Sequence, residues 1–130
     1  MCWYQVVYFL GFINVVLMAG SDASLADHSS ANQANIRCFS VDDGLSSSLV
    51  TEHTFDGDGY LWIASSNGLS RYDGYDFTSF VHDAKDSFSL AGTNSRSTMT
   101  DRDGRVWVGG NKLSRYNHNK GNFQNFDVSS

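Results

Sequence analysis

The chain has 130 residues, of which 41% are hydrophobic, 14% aromatic and 18% charged. This composition supports a packed core and is too poor in charge for a disordered segment. The formal net charge is -5 and the lysines are scattered, so a surface for nucleic acid or anionic lipid is disfavoured. Proline is absent, and the turns must therefore depend on Gly, Asn, Asp and Ser.

Residues 1–26 have the pattern of a secretory signal peptide. Cys2 to Ala19 form an apolar run, and Ser24-Leu25-Ala26 has the small-x-small form of a signal-peptidase site. We therefore predict a helical leader that is cleaved after Ala26, with cleavage after Ala23 as the second choice. The alternative is an uncleaved signal anchor, since the 18 residues of the apolar run are just long enough to span a membrane.

Residues 27–35 are small and polar, which predicts a flexible leader before the first strand. Ile36–Val41 is predicted to be that strand. Cys38 alternates with Ile36 along it, so a small strand hydrophobe is the preferred interpretation over a reactive thiol. Cys2 would be lost with the leader, and no internal disulfide is expected in the mature chain.

Turn signals divide the rest of the chain into two units of four predicted strands. Asp42-Asp43-Gly44, Asp56-Gly57-Asp58-Gly59 and Asp73-Gly74 mark turns in and before the first unit. In the first unit, residues 48–92, the predicted strands are Ser48–Phe55, Tyr60–Ser65, Leu69–Tyr72 and Tyr75–Val81. In the second unit, residues 93–130, they are Arg96–Thr100, Arg105–Gly109, Leu113–Tyr116 and Asn122–Val128.

The two units repeat one another in sequence. The stretch from Asp56 to Asp73 returns at Asp101 to Asn117, with Trp62 aligned on Trp107 at an offset of 45 residues. A period in the forties is typical of propellers and solenoids, in which each unit stacks on its neighbours to bury its apolar faces. A closed propeller needs at least about four blades, so we expect further repeats outside these residues.

The strand Tyr60–Ala64 is apolar at every position, whereas a strand with one wet face would alternate. Both of its faces must therefore be covered, as they are in a propeller blade. We predict an all-β fold of two four-stranded antiparallel blades of an incomplete β-propeller, plus one leading outer strand after the helical signal peptide. Residues 36–47 would supply the outer strand and turn of the closing blade. The partner of Ile36–Val41 would then come from the far end of a longer chain, and we expect this strand to be unpaired.

The two Asp-x-Asp-Gly segments, Asp56–Gly59 and Asp101–Gly104, are predicted to form tight hairpin turns. Their aspartates would bond local amides, and their glycines would supply a left-handed backbone. The alternative is a calcium site, because two carboxylates lie close together in each segment. An EF-hand loop needs further ligands at fixed spacing and a terminal Glu, which neither copy has, so the turn is preferred.

No catalytic, cofactor-binding or metal-binding residue is predicted, and no cofactor. The histidines stand apart from one another without metal-binding spacing. They are His28, His53, His82 and His118. Aromatic side chains on the strands could stack on a sugar, although packing inside a blade is the more common role. The candidates are Tyr72, Tyr75, Phe77 and Tyr116.

These motifs resemble the two-component regulator propeller repeat. The first copy carries the resemblance at Asp56, Gly59, Leu61-Trp62-Ile63, Gly68-Leu69 and Arg71-Tyr72. The second copy carries it at Asp101, Gly104, Trp107-Val108-Gly109, Leu113 and Arg115-Tyr116. Phe39 with Asp43-Gly44-Leu45-Ser46 is similar to the opening of the first repeat in such proteins. Departures from the usual pattern are Ala64-Ser65, Gly109-Gly110 and Lys112, which stands in place of a glycine and puts the inner hairpin of the second blade in question.

In the family that this chain resembles, the propeller is the exported sensory half of a membrane receptor, followed by further blades, a membrane span and a histidine kinase or diguanylate cyclase. The resemblance implies a non-catalytic, ligand-sensing amino-terminal fragment in the periplasm, free or anchored to the inner membrane. Its expected partners are an unidentified small-molecule or glycan ligand and either the remaining blades or a second copy. No nucleic-acid partner is expected, and the chain is expected to contact the membrane only through the leader or a downstream membrane span. The alternatives are a fragment of a propeller hydrolase or lyase and a truncated chain without activity.

Overall fold

The computed structural model describes residues 5–7 and 36–127 of the protein. These residues form β-strands and one short 3-10 helix, Val41–Asp43. The strands are β1 Gln5–Val7, β2 Ile36–Cys38, β3 Val50–Phe55, β4 Leu61–Ser65, β5 Gly68–Tyr72, β6 Phe77–Phe80, β7 Ser95–Thr100, β8 Val106–Gly110, β9 Leu113–Asn117 and β10 Asn122–Phe126. The described part of the chain contains no helix long and apolar enough to cross a membrane.

Two four-stranded antiparallel sheets make up the body of the structure. Strands β3 to β6 form one meander, named blade 1, and strands β7 to β10 form the second, named blade 2. The register is the same in both, since Trp62 pairs with Arg71 in blade 1 and Trp107 pairs with Arg115 in blade 2. The predicted all-β class with two four-stranded antiparallel blades is confirmed.

The outer strand of blade 1 begins later than the sequence predicts. The prediction was Tyr75–Val81, whereas β6 runs from Phe77 to Phe80. The reason is local, because one carboxylate oxygen of Asp73 accepts hydrogen bonds from the amides of Tyr75 and Asp76 at 2.9 and 2.8 Å. These bonds hold the residues before Phe77 in a turn rather than in the sheet.

The hairpin between β8 and β9 forms although Lys112 stands where blade 1 has Gly68. The amide of Gly110 donates to the carbonyl of Lys112 at 3.0 Å and closes the turn. A Cβ on Gly110 would lie 2.1 Å from the backbone oxygen of Asn94. Gly110 therefore lies tightly against the backbone that precedes β7, and the hairpin itself forms with a lysine in place of the glycine.

The leading strand β2 stops at Cys38, three residues before the predicted end at Val41. A capping box ends it, because the hydroxyl of Ser40 accepts the amide of Asp42 at 3.2 Å and the Asp43 carboxylate accepts the amide of Ser40 at 2.7 Å. These bonds start the 3-10 helix. Gly44 ends that helix with a left-handed φ of 107°, as the Asp-Asp-Gly turn signal predicts.

Strand β2 has a partner within the chain. Gln5–Val7 forms β1 and pairs with it antiparallel, with Gln5 opposite Cys38. The prediction of a helical leader is wrong for these residues, and so is the expectation that Ile36–Val41 has no partner. The valines of β1 favour an extended backbone, and the edge of β2 has backbone N–H and C=O groups with which such a strand can pair. Other predictions for residues 1–35 lie outside the described residues.

A shared apolar core lies between the two blades. Trp62 lies at the centre of this core and is 0% exposed. Its indole ring lies 4.6 Å from the ring of Tyr116, which comes from blade 2. The buried members of this cluster are Trp62, Ala64, Leu69, Leu90, Val106, Val108, Tyr116 and Phe123. This core covers one face of β4.

The segment that precedes β3 covers the opposite face of blade 1. Phe39 and Leu45 pack there against Leu61, Ile63 and Tyr72. Both faces of β4 are therefore buried, as the uninterrupted apolar strand predicts.

Phe39 occupies the position of an outer-strand residue. Its ring lies 4.9 Å from that of Tyr72 on blade 1. The ring of Phe80, from the outer strand of blade 1, lies 5.6 Å from that of Tyr116 on blade 2. Tyr72 and Tyr116 are equivalent in the repeat, so Phe39 holds on blade 1 the place that Phe80 holds on blade 2.

The strands β3 and β7 lie side by side and are joined through side chains. Thr51 Oγ1 donates to the carbonyl of Ser95 at 2.8 Å, and the amide of Thr98 donates to Glu52 Oε2 at 3.0 Å. Contact between the first strands of successive blades is the arrangement of a propeller, whose innermost strands surround the central axis.

Candidate functional site

In each blade, one aspartate ties the first hairpin to the tryptophan of the next strand. In blade 1, Asp56 Oδ1 accepts hydrogen bonds from the amides of Asp58 and Tyr60 at 3.0 and 2.9 Å. Asp56 Oδ2 accepts the indole N–H of Trp62 at 2.7 Å. Asp56 is 7% exposed, so these donors satisfy the carboxylate in a place that water hardly reaches.

Blade 2 repeats this arrangement and adds an arginine. Asp101 Oδ1 accepts the amides of Asp103 and Arg105 at 3.0 and 2.9 Å. Asp101 Oδ2 accepts the indole N–H of Trp107 at 2.8 Å and the Nε–H of Arg105 at 2.8 Å. The guanidinium of Arg105 also pairs with Asp103.

Both Asp-x-Asp-Gly segments are structural turns. Gly59 and Gly104 adopt left-handed φ values of 88° and 78°, as predicted. The carboxylates of Asp56 and Asp101 are directed at nitrogen donors, which leaves few of their lone pairs for a calcium ion. Among the described residues there is no group of three or more His, Cys, Asp and Glu side chains that could hold a metal ion.

The hydrogen bonds on Asp101 hold the pKa of its carboxyl well below the usual range. The indole of Trp107 is the largest cause. The amide and guanidinium of Arg105 and the amide of Asp103 lower it further, while desolvation opposes them. Asp101 is therefore more acidic in the folded chain than in the unfolded chain.

We expect Asp101 to make the free energy of unfolding depend on pH in the acid range. Its contribution is complete above the unfolded-state pKa of about 3.9 and is lost as the pH falls from there through the lower folded-state pKa. Between about pH 5 and pH 2, the free energy of unfolding of the wild type should therefore fall more steeply than that of Asp101→Asn. Urea melts across this range measure both slopes. Equal slopes for wild type and Asp101→Asn would contradict the assignment.

Arg71 on β5 forms a polar contact inside the core between the blades. Its Cζ lies 5.0 Å from the ring centroid of Tyr60 and 5.7 Å from that of Trp62. Its Nη1 donates to the hydroxyl of Tyr116 at 3.2 Å, while its Nε is buried without a hydrogen-bond partner. Ring faces and one hydroxyl of the next blade therefore hold this cation, with each cation–π contact contributing about 0.5–2 kcal/mol.

Blade 2 presents an equivalent face that no described residue of another sheet covers. Along this face Trp107 pairs with Met99 on β7 and with Arg115 on β9. Met99 is 59% exposed. The Cζ of Arg115 lies 5.4 Å from the ring centroid of Trp107 and 5.8 Å from that of Phe126. We name Met99, Trp107, Leu113, Arg115 and Phe126 the open face.

Three of the four aromatic candidates for a glycan site are packing residues. Tyr72 and Tyr116 are 3% and 5% exposed and belong to different apolar clusters. Phe77 packs against Tyr72 with ring centroids 4.7 Å apart. Tyr75 is 89% exposed in the turn between β5 and β6. The structure therefore does not bring the four together as one sugar-stacking site.

Cys38 lies in a strand, as predicted, but its side chain is exposed rather than packed. The chain turns inward one residue later, where Phe39 is buried. The described histidines are also spread over the fold. His82 Nδ1 lies 2.6 Å from the carbonyl of Leu90, and His118 Nδ1 lies 3.8 Å from Asp58 Oδ2. They are not gathered into one site.

A recess at one end of blade 2 arises from divergence between the repeats. In blade 1 the hydroxyls of Ser46 and Ser65 bond one another at 2.8 Å. Blade 2 has Ala91 and Gly110 at the corresponding positions. The space left has an empty volume of about 190 Å³, open solvent included. Pockets for drug-sized ligands measure roughly 300–1,000 Å³, so this recess is too small for one.

The model of the two-component regulator propeller family matches residues 89–112. This stretch contains β7, the Asp101 turn and most of β8, including Trp107. Over this stretch the chain is similar to the two-component regulator propeller family. The resemblance predicted from Trp62, Trp107 and their surrounding motifs is confirmed.

The fold is similar to that of solved extracellular domains of bacterial signalling systems. The extracellular domain of a hybrid two-component system from B. thetaiotaomicron is 26% identical, with a TM-score of 0.64 over 72% of this chain and 13% of that domain. The extracellular domain of a one-component system from the same organism is 24% identical, with a TM-score of 0.57 over 75% of this chain and 13% of that domain; this second likeness shows the fold alone. The chain therefore spans a small part of either relative. No curated protein matches it.

Sequence reasoning missed two contacts of the repeat. It treated the aspartates as turn formers and the tryptophans as packing residues, whereas each aspartate bonds its tryptophan. It also did not find the bond from Arg71 to Tyr116. A signal for the first was present, because Asp and Trp are six positions apart in both copies. The second joins different blades and needs the packing geometry.

Proposed function

We propose that this chain is part of the exported, ligand-sensing propeller of a membrane receptor of the two-component type, and that it is not an enzyme. The main support is the pair of successive propeller blades, which resembles the extracellular domain of a hybrid two-component system over 72% of the chain. That domain is much longer, since the chain covers 13% of it. The remaining blades of a receptor are accordingly the principal partner that we propose.

In this proposal each stretch of the chain has one role. Residues 1–26 direct export, as a cleaved signal peptide or a retained anchor, and residues 27–35 link them to the propeller. Residues 36–47 are the outer strand and turn of the closing blade, a role supported by the position of Phe39. Residues 48–92 and 93–130 are the two blades. The protein then resides in the periplasm.

The non-catalytic role is supported by the use of the repeated polar side chains. Asp56 and Asp101 bond tryptophans. The hydroxyl of Ser70 accepts the amide of Ser46 at 2.9 Å, and that of Ser114 accepts the amide of Ala91 at 3.0 Å. These groups hold loops against strands at equivalent places in both blades. A repeated structural role explains their presence without a reaction.

Export is tested by fusing alkaline phosphatase after residue 127, since this enzyme is active only outside the cytoplasm. We expect an active fusion whose intact mass corresponds to cleavage after Ala26. An active fusion of full mass in the inner membrane would replace the signal peptide with an anchor. An inactive fusion in the cytoplasm would overturn the proposed function.

Sensing is tested by thermal melts of the exported protein with a panel of mono- and oligosaccharides and other small metabolites. A ligand that binds only the folded state raises the midpoint in proportion to the logarithm of its excess over Kd. Mass spectrometry of the recovered ligand separates a sensor from an enzyme. An unchanged ligand supports sensing, and a cleaved one supports a propeller hydrolase or lyase.

A further inference from the structure

In blade 1, serine hydroxyls occupy the place that corresponds to the recess of blade 2. Ser46 Oγ lies 2.8 Å from Ser65 Oγ and accepts a hydrogen bond from Ser70 Oγ at 3.0 Å. Ser65 Oγ donates to the carbonyl of Gly68 at 3.1 Å. These groups satisfy one another, so this end of blade 1 has little hydrogen-bonding capacity to offer a ligand.

Blade 2 lacks this network. Ala91 and Gly110 stand where blade 1 has two of the serines. The third hydroxyl is kept on Ser114, but it donates to Asn125 Oδ1 at 2.8 Å, on the neighbouring strand β10. The recess is therefore free of the hydroxyls that fill the corresponding place in blade 1.

A different hydroxyl lines the recess. Ser95, which is 2% exposed, stands where blade 1 has the apolar Val50. Its carbonyl accepts a hydrogen bond from Thr51 Oγ1 at 2.8 Å, whereas no group among residues 36–127 bonds its hydroxyl. Buried polar groups normally have partners, because leaving one unbonded is unfavourable. A ligand that accepts from Ser95 Oγ would supply the partner.

Two cations stand at the same end of blade 2. Lys112 lines the recess, at the position of Gly68 in blade 1. Arg96 follows Ser95 as the unpaired residue of a β-bulge, where blade 1 has Thr51. Bulges re-aim side chains and are common beside active sites. Both cations are exposed, and neither forms a salt bridge with a carboxylate in the described part of the chain.

We propose that the recess binds the carboxylate group of an acidic small molecule or sugar. Ser95 Oγ donates to one carboxylate oxygen, the ammonium of Lys112 pairs with the other, and Arg96 adds a second positive charge. A carboxylate only accepts hydrogen bonds and bonds strongly to charged donors. The empty volume of about 190 Å³, open solvent included, admits this group while the rest of the ligand stays outside. This inference rests on the proposed sensory function and names the class of its ligand.

The test is an NMR titration of the ¹⁵N-labelled full chain with sodium glucuronate. We expect saturable shifts of the amide signals of Gly92, Ser95 and Gly110, which line the recess. Glucose, which lacks the carboxylate, and sodium chloride at equal ionic strength should leave these signals unchanged. Shifts that either control reproduces would overturn the proposal, and so would a titration without shifts in the recess.

Sodium acetate distinguishes the two sources of the carboxylate. Both sources support the recess as a carboxylate site. Acetate that binds as tightly as glucuronate would indicate small organic acids as the ligands, because the sugar ring then adds nothing. Tighter binding of glucuronate would indicate acidic sugars.

Substitutions assign the binding to its residues. Ser95→Val and Lys112→Gln should each weaken glucuronate binding by about tenfold, the lower range for a hydrogen bond to a charged group. The fold should tolerate Ser95→Val, since blade 1 has Val50 at this place.

Lys120→Gln is the matched control. It removes the same charge in the turn at the other end of β9 and should leave the affinity unchanged. Equal weakening by both lysine variants would reduce the effect to net charge and overturn the site. A neutral ligand found to bind elsewhere would leave the sensory role intact, so failure of this site is distinct from failure of the proposed function.

Discussion

Replacing Trp62 by alanine should lower the free energy of unfolding by about 3–5 kcal/mol, the cost of removing a fully buried aromatic side chain. Trp62 is 0% exposed and packs between Tyr116 and Phe80. The sequence predicts an equal cost at Trp107, because the two residues are equivalent in the repeat. The structure separates them, since Trp107 lies on the open face and is only partly buried. We expect Trp107→Ala to cost about 1–2 kcal/mol, in line with the smaller apolar area that Trp107 buries.

Urea melts of the two alanine variants, with the wild type beside them, measure this difference directly. Trp62→Phe and Trp107→Phe are the matched controls, because each keeps a ring and removes only the indole donor to its aspartate. Each phenylalanine variant should therefore lose less stability than the alanine variant at the same position, because the ring stays and the bond to the aspartate is lost in both. A cost below about 1 kcal/mol for Trp62→Ala would contradict a core between two blades. Equal large costs at both positions would mean that the open face is covered in solution.

The repeat explains why so much of this fold could be predicted from sequence. Within each blade, most hydrogen bonds join strands that are adjacent in sequence. The turns and the strand pattern are therefore determined by nearby residues. Asp56, Gly59 and Trp62 set one hairpin, and their recurrence at Asp101, Gly104 and Trp107 sets the other. The continuous apolar character of β4 likewise predicts burial on both faces, which Trp62 and Leu61 confirm.

The features that were not predicted depend on what lies beside each blade. The sequence around Trp107 does not reveal that this face of blade 2 is uncovered, because the local motif is the same as the one around Trp62. The pairing of Gln5–Val7 with β2 is also a long-range contact between segments that have no repeat partner. The bond from Arg71 to Tyr116 joins residues 45 positions apart and requires the stacking angle of the blades. For the candidate site, sequence therefore identified the residues but not their contacts across blades.

The inner hairpins of the two blades differ in where they place a glycine. Blade 1 places Gly68 at the start of β5, with a left-handed φ of 122°. Blade 2 has Lys112 at the corresponding position and puts Gly110 at the end of β8. In both hairpins a Cβ on the glycine would meet a backbone oxygen, that of Phe80 at 2.3 Å and that of Asn94 at 2.1 Å. A pattern match marks Lys112 as a departure, and the two glycines have different neighbours, since Gly68 lies against Phe80 at the end of β6 and Gly110 lies against Asn94, just before β7.

Replacing Gly68 by alanine should be among the most damaging single changes in blade 1. The new Cβ would lie 2.3 Å from the backbone oxygen of Phe80 and 3.4 Å from Val81 Cγ1. Backbone cannot move aside as a flexible side chain can, so β6 would have to shift away from β5. The left-handed backbone adds about 1–2 kcal/mol and the overpacking about 1–3 kcal/mol. We therefore expect the free energy of unfolding to fall by about 2–5 kcal/mol.

Gly74→Ala is the control that isolates the steric part of this effect. Gly74 has a left-handed φ of 102°, and a Cβ built on it meets no atom within 4 Å. Its replacement should cost only the backbone term of about 1–2 kcal/mol. Urea melts give both values, and the difference between them is the cost of pushing β6 away from β5. If the two variants lost the same stability, β6 would be free to move at little cost, and the close approach at Gly68 would have no part in holding the outer strand of blade 1.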